Sequence, residues 1–446
     1  MRLWFVPSPA QKKPRAKRHH DEFSGPYEGG CAAAPQTNLT GGCNVSGMCT
    51  GSASDPQNWG CRDECHANDA NLIHEWSPIT PITVQPLSAV CYIAIRNINR
   101  AAHPSRPVGI IASYVGGTPV GCWASDPHAD KTCGVTPSPE KNVPCNATTS
   151  CCPAMLFNAK IAPLLPFNVR AALWYQGEAN TDEGYTRTRK EYACQMKLLI
   201  DTWRKAWGYA LPFYWMQLHG WGKGGGASDS TCFWGGGPHV YDLDCTYAIR
   251  LAQDDVARLN MPFTGLASAV DGCEADANGS TCNLHPGWKT VPATRLGWEV
   301  ENSLFGAKNP KRPIFSNASF VLGAGGKCVT VSFELEAEGS EGLVLQPIHN
   351  WKQIWGGLGC GGGVRAGMVV LNATLDGGAA KLINGSAAIV GGKFVGTWSS
   401  AFENDGGVVG KVVTAVHEVR YLPNNVPTCV VANAGGRPLS PLLHHW

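Results

Sequence analysis

Five short, unbroken apolar runs constrain this chain most: residues 2–6, 108–115, 169–175, 211–218 and 263–270. A strand with one wet face alternates apolar and polar residues, whereas a run that is apolar throughout belongs in a parallel sheet covered on both sides. Helical patterns lie between the runs. One occupies residues 88–98. Another runs from 185 to 207, where Tyr185, Tyr192, Met196, Leu199, Trp203 and Trp207 build a single apolar face. That stripe is read as core packing. Strands alternating with helices predict an α/β fold with a parallel, doubly wound sheet.

Two Cys-rich insertions, near residues 20–72 and 124–153, interrupt this pattern, and a Gly-rich one follows at 220–237. They are too long to be ordinary connections. Beyond about residue 310 the texture changes. "FVLGAGGKCVTVSFEL", "GMVVLNATL", "AAIVGGKFVGTW" and "VVTAVHEVRYL" are short β runs divided by glycine, with no helical period between them. The expected organisation is therefore an α/β domain over residues 1–310 and a smaller β-rich domain over 311–446.

Nineteen Cys in 446 residues exceed what a reduced cytosolic enzyme carries, and they cluster in turn-rich segments. Disulfides and an oxidising compartment are expected. Seven Asn-x-Ser/Thr sites, at Asn38, Asn44, Asn146, Asn278, Asn317, Asn372 and Asn384, point the same way. A zinc site at Cys61, Cys65 and His66 lacks a second ligand pair at finger-like spacing, so no metal is expected. The net charge of +2, with 16% charged residues, gives no reason to expect nucleic acid. The basic run from Lys12 to His20 is read as a solvated loop. No apolar stretch approaches the length of a membrane span. The start, Met1-Arg-Leu-Trp-Phe-Val6, does not have the order of a signal peptide, so the expectation is that the chain begins downstream of its true start.

The third apolar run ends in Gln176, Gly177, Glu178 and Asn180, two amides and a carboxylate around a glycine. Ligands of open α/β sheets sit beyond the carboxyl ends of the strands. Five blocks, "GIIASYVGGTPVGCW" (109–123), "ALWYQGEAN" (172–180), "IRLAQ" (249–253), "LHPGWK" (284–289) and "VRYLPNNVP" (419–427), occur in the order of the sialate O-acetylesterase family. The resemblance spans the chain from "LSAVCYIAIRNI" to "GGRPLSPL". It implies a flavodoxin-like, three-layer SGNH hydrolase core, lacking its first strand. It also implies hydrolysis of O-acetyl esters on sugars without a metal or organic cofactor, in the secretory pathway, extracellular or lysosomal. The partner implied is an O-acetylated sialic acid or another acetylated glycan; the oligomeric state is left open.

An ester hydrolase needs a nucleophile, a base and donors for the oxyanion. The family's His-Pro falls on His285 and Pro286, which makes His285 the expected base. Family relatives place an acid just before this histidine, where Cys282 and Asn283 stand. The nearest aspartates are Asp271, at the end of "GLASAV", and Asp276; Asp271 is the expected acid, with a turn-capping role as the alternative. Gly116 and Gly117 end a strand, where a glycine N–H can approach a substrate closely. Gln176 and Asn180 offer amide donors to complete the oxyanion hole. Glu178 is expected to hold the loop or substrate hydroxyls, or to bond Arg250. Ser113 belongs to the Gly-Gly-Thr block and Ser46 to a sequon, so neither is expected to attack.

The family's nucleophilic serine lies in a Gly-Gln-Ser-Asn-like block upstream of a segment resembling "MRLWFVPSP", and no such block occurs in this sequence. The serine is expected outside the chain. Two alternatives remain open: a catalytically inactive glycan-binding protein, and an esterase acting on acetylxylan-type polysaccharide.

Overall fold

The computed structural model describes residues 2–5, 76–80, 84, 87–102, 107–135, 152–181, 188–223, 245–274, 281–349, 368–399, 410–423, 427 and 429–446. The first Cys-rich insertion, Lys12 to His20, Ser46, Asp276 and Tyr185 lie outside them. Chain contacts divide the molecule into two compact units. One comprises Met1–Asn180, Gly184–Thr186 and Cys194–Phe213; the other Thr181–Glu183, Arg187–Ala193 and Tyr214–Trp446.

In the first unit, strand β1 (Arg2–Phe5) runs antiparallel to the two-residue β2 (Ser77–Pro78). On its other side it runs parallel to β3 (Gly109–Ala112), from Arg2 opposite Gly109 to Phe5 opposite Ala112. Two of the five apolar runs thus form the parallel pair that the sequence predicts. Between them lies helix α1 (Ala89–Ala102), whose start is capped by Ser88 Oγ accepting the Cys91 N–H at 3.4 Å. Val90 and Ala94, four apart, are buried on its inner face.

Strand β4 (Ala172–Trp174) is joined to the next apolar run where the Ala172 N–H donates to the Pro212 carbonyl at 2.8 Å. Helix α2 (Arg189–Trp207) opens with a reciprocal capping box. The Thr188 N–H donates to Glu191 Oε2 at 2.8 Å, and the Glu191 N–H to Thr188 Oγ1 at 3.2 Å. Its stripe of Tyr192, Met196, Leu199 and Trp203 is buried, so it is core. The Trp203 ring packs against Trp174 at 6.0 Å and Phe213 at 5.6 Å, each ring worth roughly 2–3 kcal/mol of burial. A disulfide from Cys133 to Cys194 ties the second Cys-rich insertion to this helix.

The second unit carries most of β5 (Phe213–Gln217), then α3 (Cys245–Arg258), β6 (Thr264–Ser268) and α4 (Thr290–Phe305). The strands are shorter than the apolar runs that foretold them. Apolar sequence continues past each strand end, as at Leu218 and at Ala269-Val270, because those residues are buried although no longer in a strand.

From Phe315 on, the labelled strands are β7 (Phe315–Leu322), β8 (Cys328–Leu335), β9 (Val344–Pro347), β10 (Val369–Leu375), β11 (Ala380–Val390), β12 (Lys393–Ser399), β13 (Val413–Tyr421), β14 (Cys429–Ala432) and β15 (Leu442–His445). Seven make one sheet in the order β15-β13-β10-β11-β12-β8-β7, and β9 pairs with β14. Strand β11 changes partner half-way. Its residues 380–385 pair with β10 and its residues 386–390 with β12. The change of texture expected near residue 310 falls here, but chain contacts keep these strands in one unit with α3, β6 and α4.

The disulfides expected from the Cys count are present. Cys273 pairs with Cys282, and Cys122, Cys152 and Cys429 are also disulfide-bonded, while Cys91 and Cys328 are free. Burial pushes the Cys91 thiol up, which keeps it protonated beside the Leu173 carbonyl. Of the three sequons on described residues, Asn317 is exposed and Asn372 and Asn384 are half-buried. Among the described residues no helix is long and apolar enough to cross a membrane.

Candidate active site

In the first unit the expected site residues gather after β3 and β4. Gly116 and Gly117 form an exposed turn, and Gly117 has φ of 67°, a left-handed conformation that costs a residue with a Cβ about 1 kcal/mol or more. The turn is fixed by side chains on both sides. Thr118 Oγ1 donates to the Val115 carbonyl at 2.8 Å and accepts from Trp123 Nε1 at 3.0 Å. Ser113 Oγ donates to the Lys160 carbonyl at 3.5 Å, consistent with a residue that serves the block rather than attacks.

Gln176 reaches this loop from the end of β4. Its Nε2 donates to the Thr118 carbonyl at 3.1 Å and to Asn180 Oδ1 at 2.6 Å, and Asn180 Oδ1 also accepts the Val120 N–H at 3.0 Å. An amide has two N–H donors. Both of those on Gln176 are directed at protein acceptors, and Asn180 Oδ1 receives one of them, so the two side chains brace the glycine turn. Glu178 is half-buried and opens a 3₁₀ turn, Glu178–Thr181.

In the second unit, His285 is exposed on the loop between β6 and α4. Four supports hold that loop. The Cys273–Cys282 disulfide, with Cα atoms 5.2 Å apart, closes its base. A two-residue antiparallel ladder pairs Gly222 with Cys282 and Lys223 with Thr281. Asn283 Oδ1 accepts the His285 N–H at 2.8 Å, an Asx turn that sets the direction of the backbone. Glu274 clamps both sides of the histidine. Its carbonyl accepts the Asn283 N–H at 2.7 Å and its carboxylate accepts the Gly287 N–H.

Beneath this loop lies His219, buried and in contact with the Asn283 and Leu284 carbonyls. Burial, with the positive charges of Lys289 and Arg250, pushes it down to about 3. It therefore stays neutral across the physiological range.

Asp271, at the end of β6, has both carboxylate oxygens taken by Arg295, at 2.6 and 2.7 Å. It anchors α4 through this pair. Arg250 is fully buried and donates to the carbonyls of Leu218 at 3.1 Å and His219 at 2.5 Å. Gln253, one turn on, accepts the Leu218 N–H at 3.0 Å. The "IRLAQ" block thus fixes the end of β5.

Glu274, His219 and Arg295 did not stand out in the sequence as residues serving the site. The signal for Glu274 was its place beside Cys273, since a pair of cysteines nine apart folds the segment between them back on itself. His219 and Arg295 act through carbonyls and a carboxylate brought near only by the fold.

Residues 82–232 match the family described as carbohydrate esterase, sialic acid-specific acetylesterase. The sialate O-acetylesterase of Mus musculus is 27% identical over 256 residues, covering 50% of this chain and 44% of the relative. That of Homo sapiens is 29% identical over 236 residues, covering 50% of this chain and 40% of the relative.

The chain is thus similar, over half of its length, to curated sialate O-acetylesterases.

It spans less than half the length of these curated relatives. A solved carbohydrate acetylesterase from Xanthomonas citri shares the fold, with a TM-score of 0.58 over 99% of this chain and 72% of that one, at 23% identity. Within the family stretch lie the Gly116-Gly117 turn and its Gln176–Asn180 struts; His285 and its loop lie beyond it.

Proposed function

We propose that the protein is a carbohydrate O-acetylesterase, a carboxylic ester hydrolase built on an SGNH-type core with a β-rich region after residue 310. One observation carries this reading. His285, on the family's His-Pro, is an exposed imidazole on a loop closed by a disulfide, an Asx turn and Glu274. A base must be both reachable and held still.

In this mechanism a serine outside these 446 residues attacks the acetyl carbonyl and gives its proton to His285. The carbonyl oxygen becomes an oxyanion, for which the backbone N–H of Gly116 or Gly117 is the assigned donor. The tetrahedral intermediate collapses, the sugar oxygen leaves and takes the proton from His285, and an acetyl-serine remains. Water, deprotonated by His285, then releases acetate and restores the serine. Asp271 is assigned to anchoring through Arg295, and Glu274 to holding the loop. The disulfides support a secretory-pathway setting.

The absence of a family-type serine block favours a second reading, a glycan-binding protein without catalysis. Acetate release separates the two. The 446-residue chain and a protein extended upstream through the next strand are each assayed on 4-nitrophenyl acetate, O-acetylated sialic acid and acetylxylan. The esterase reading expects turnover only with the extension, abolished by His285→Ala, and the preferred sugar names the substrate. Turnover by the 446-residue chain overturns the placement of the serine; none by either protein overturns the esterase.

A further inference from the structure

Three residues after His285, the Trp288 ring is stacked on His349, with centroids 5.2 Å apart and planes 19° from parallel. His349 is exposed and Trp288 half-buried, so the stack stands at the surface with the imidazole outermost. It is a built feature. A Cβ on Gly272 would lie 2.7 Å from Trp288 Cε3 and Cζ3, so the ring occupies that place only because residue 272 is glycine. The Arg295 guanidinium lies 6.0 Å from the Trp288 ring centre, within cation–π range. Arg295 is itself held by Asp271, and the His349 N–H donates to the Asp271 carbonyl at 2.9 Å. Ring, imidazole and cation are therefore all referred to one point, the end of β6.

None of this is needed to fill the core. A flat π surface, pre-set and presented to solvent, matches the C–H face of a pyranose, which is flat and weakly polar while its hydroxyls point outward. Sites for small polar ligands commonly pair such an apolar wall with a few placed polar groups. Fixing the wall in advance removes the cost of ordering it on binding.

We propose that the His349–Trp288 stack is a carbohydrate platform on which the sugar ring of the substrate lies next to the His285 loop. This rests on the carbohydrate-esterase reading and names the surface that takes the sugar. The test is binding without hydrolysis. N-acetylneuraminic acid and xylobiose are titrated separately into the 446-residue chain, His349→Ala and Trp288→Phe, by calorimetry. At least one sugar is expected to bind, and His349→Ala to weaken it about tenfold or more with an unchanged thermal midpoint. Trp288→Phe, which keeps a flat ring beneath the imidazole, is expected to weaken it less. Equal binding by His349→Ala, or binding of neither sugar, overturns the platform. If binding depends on His349 but the extended protein hydrolyses no acetate ester, the platform stands and the esterase reading falls. If acetate esters are hydrolysed but binding ignores His349, the reverse holds.

Discussion

Arg295 holds Asp271 by two parallel hydrogen bonds of 2.6 and 2.7 Å, and both side chains are buried. Two more of its donors go to the Ser268 carbonyl at 3.0 Å and the Gly436 carbonyl at 2.6 Å. One guanidinium thus joins the end of β6, helix α4 and the turn before β15. A carboxylate held this way is a joint of the scaffold.

Asp271→Asn is accordingly expected to lower stability by about 3 kcal/mol, because it leaves the Arg295 charge buried without its partner. Urea unfolding measures this. Full stability with lost hydrolysis in the extended protein would return Asp271 to the role of orienting acid.

Replacing both Cys273 and Cys282 by serine opens a short loop, and chain entropy puts the loss at about 2–3 kcal/mol. The larger effect is expected on hydrolysis, since His285 sits three residues beyond the bridge. Comparing the activity of the double variant below its unfolding midpoint with the wild type reads the two effects apart. Unchanged kcat would show that the other supports suffice.

Acid should weaken the fold through His219. A free imidazole protonates near 6.5, the buried one only at about 3. Between those values the unfolded chain holds the extra proton, so this contribution is whole above 6.5 and is lost as pH falls through the window. The urea midpoint of wild type is expected to fall more steeply between pH 7 and pH 4 than that of His219→Gln. Parallel slopes would sink this assignment.

Gln176→Leu leaves the Thr118 carbonyl and Asn180 Oδ1 each short of a donor, a loss of about 1–3 kcal/mol. Gly117→Ala strains the turn directly without touching the struts. In the extended protein both are expected to lower kcat more than they raise KM, because both move oxyanion donors. A change confined to KM would assign the turn to substrate binding instead.

The parallel pairing of β1 with β3 and the buried stripe of α2 were legible in the sequence because unbroken apolar runs and helical spacing report burial directly. His285 was singled out through its neighbours in the chain, and it is exposed on a held loop. Asp271 and Arg250 were marked as residues that matter, but the partners that hold them were not legible. Their partners, Arg295 and the Leu218 and His219 carbonyls, are 24 to 32 residues away, and a strand end reads the same whether its carboxylate faces a substrate or a guanidinium. Gln176 shows the same limit: an amide at the end of β4 was visible, the carbonyl that uses up its donor was not.

Strand β11 hands its hydrogen bonds from β10 to β12 between Gly385 and Ser386, where Trp398 Nε1 also ties back to the Ile383 carbonyl at 2.9 Å. The three strands on one side of it and the three on the other are joined through this stretch of backbone, and the two outer strands meet again where Phe315 of β7 packs against His444 of β15, with ring centroids 5.8 Å apart. Opening either half frees one end of the same strand, so neither half can fray far before the other is disturbed. The sheet gains cooperativity from a change of partner that takes no additional residues.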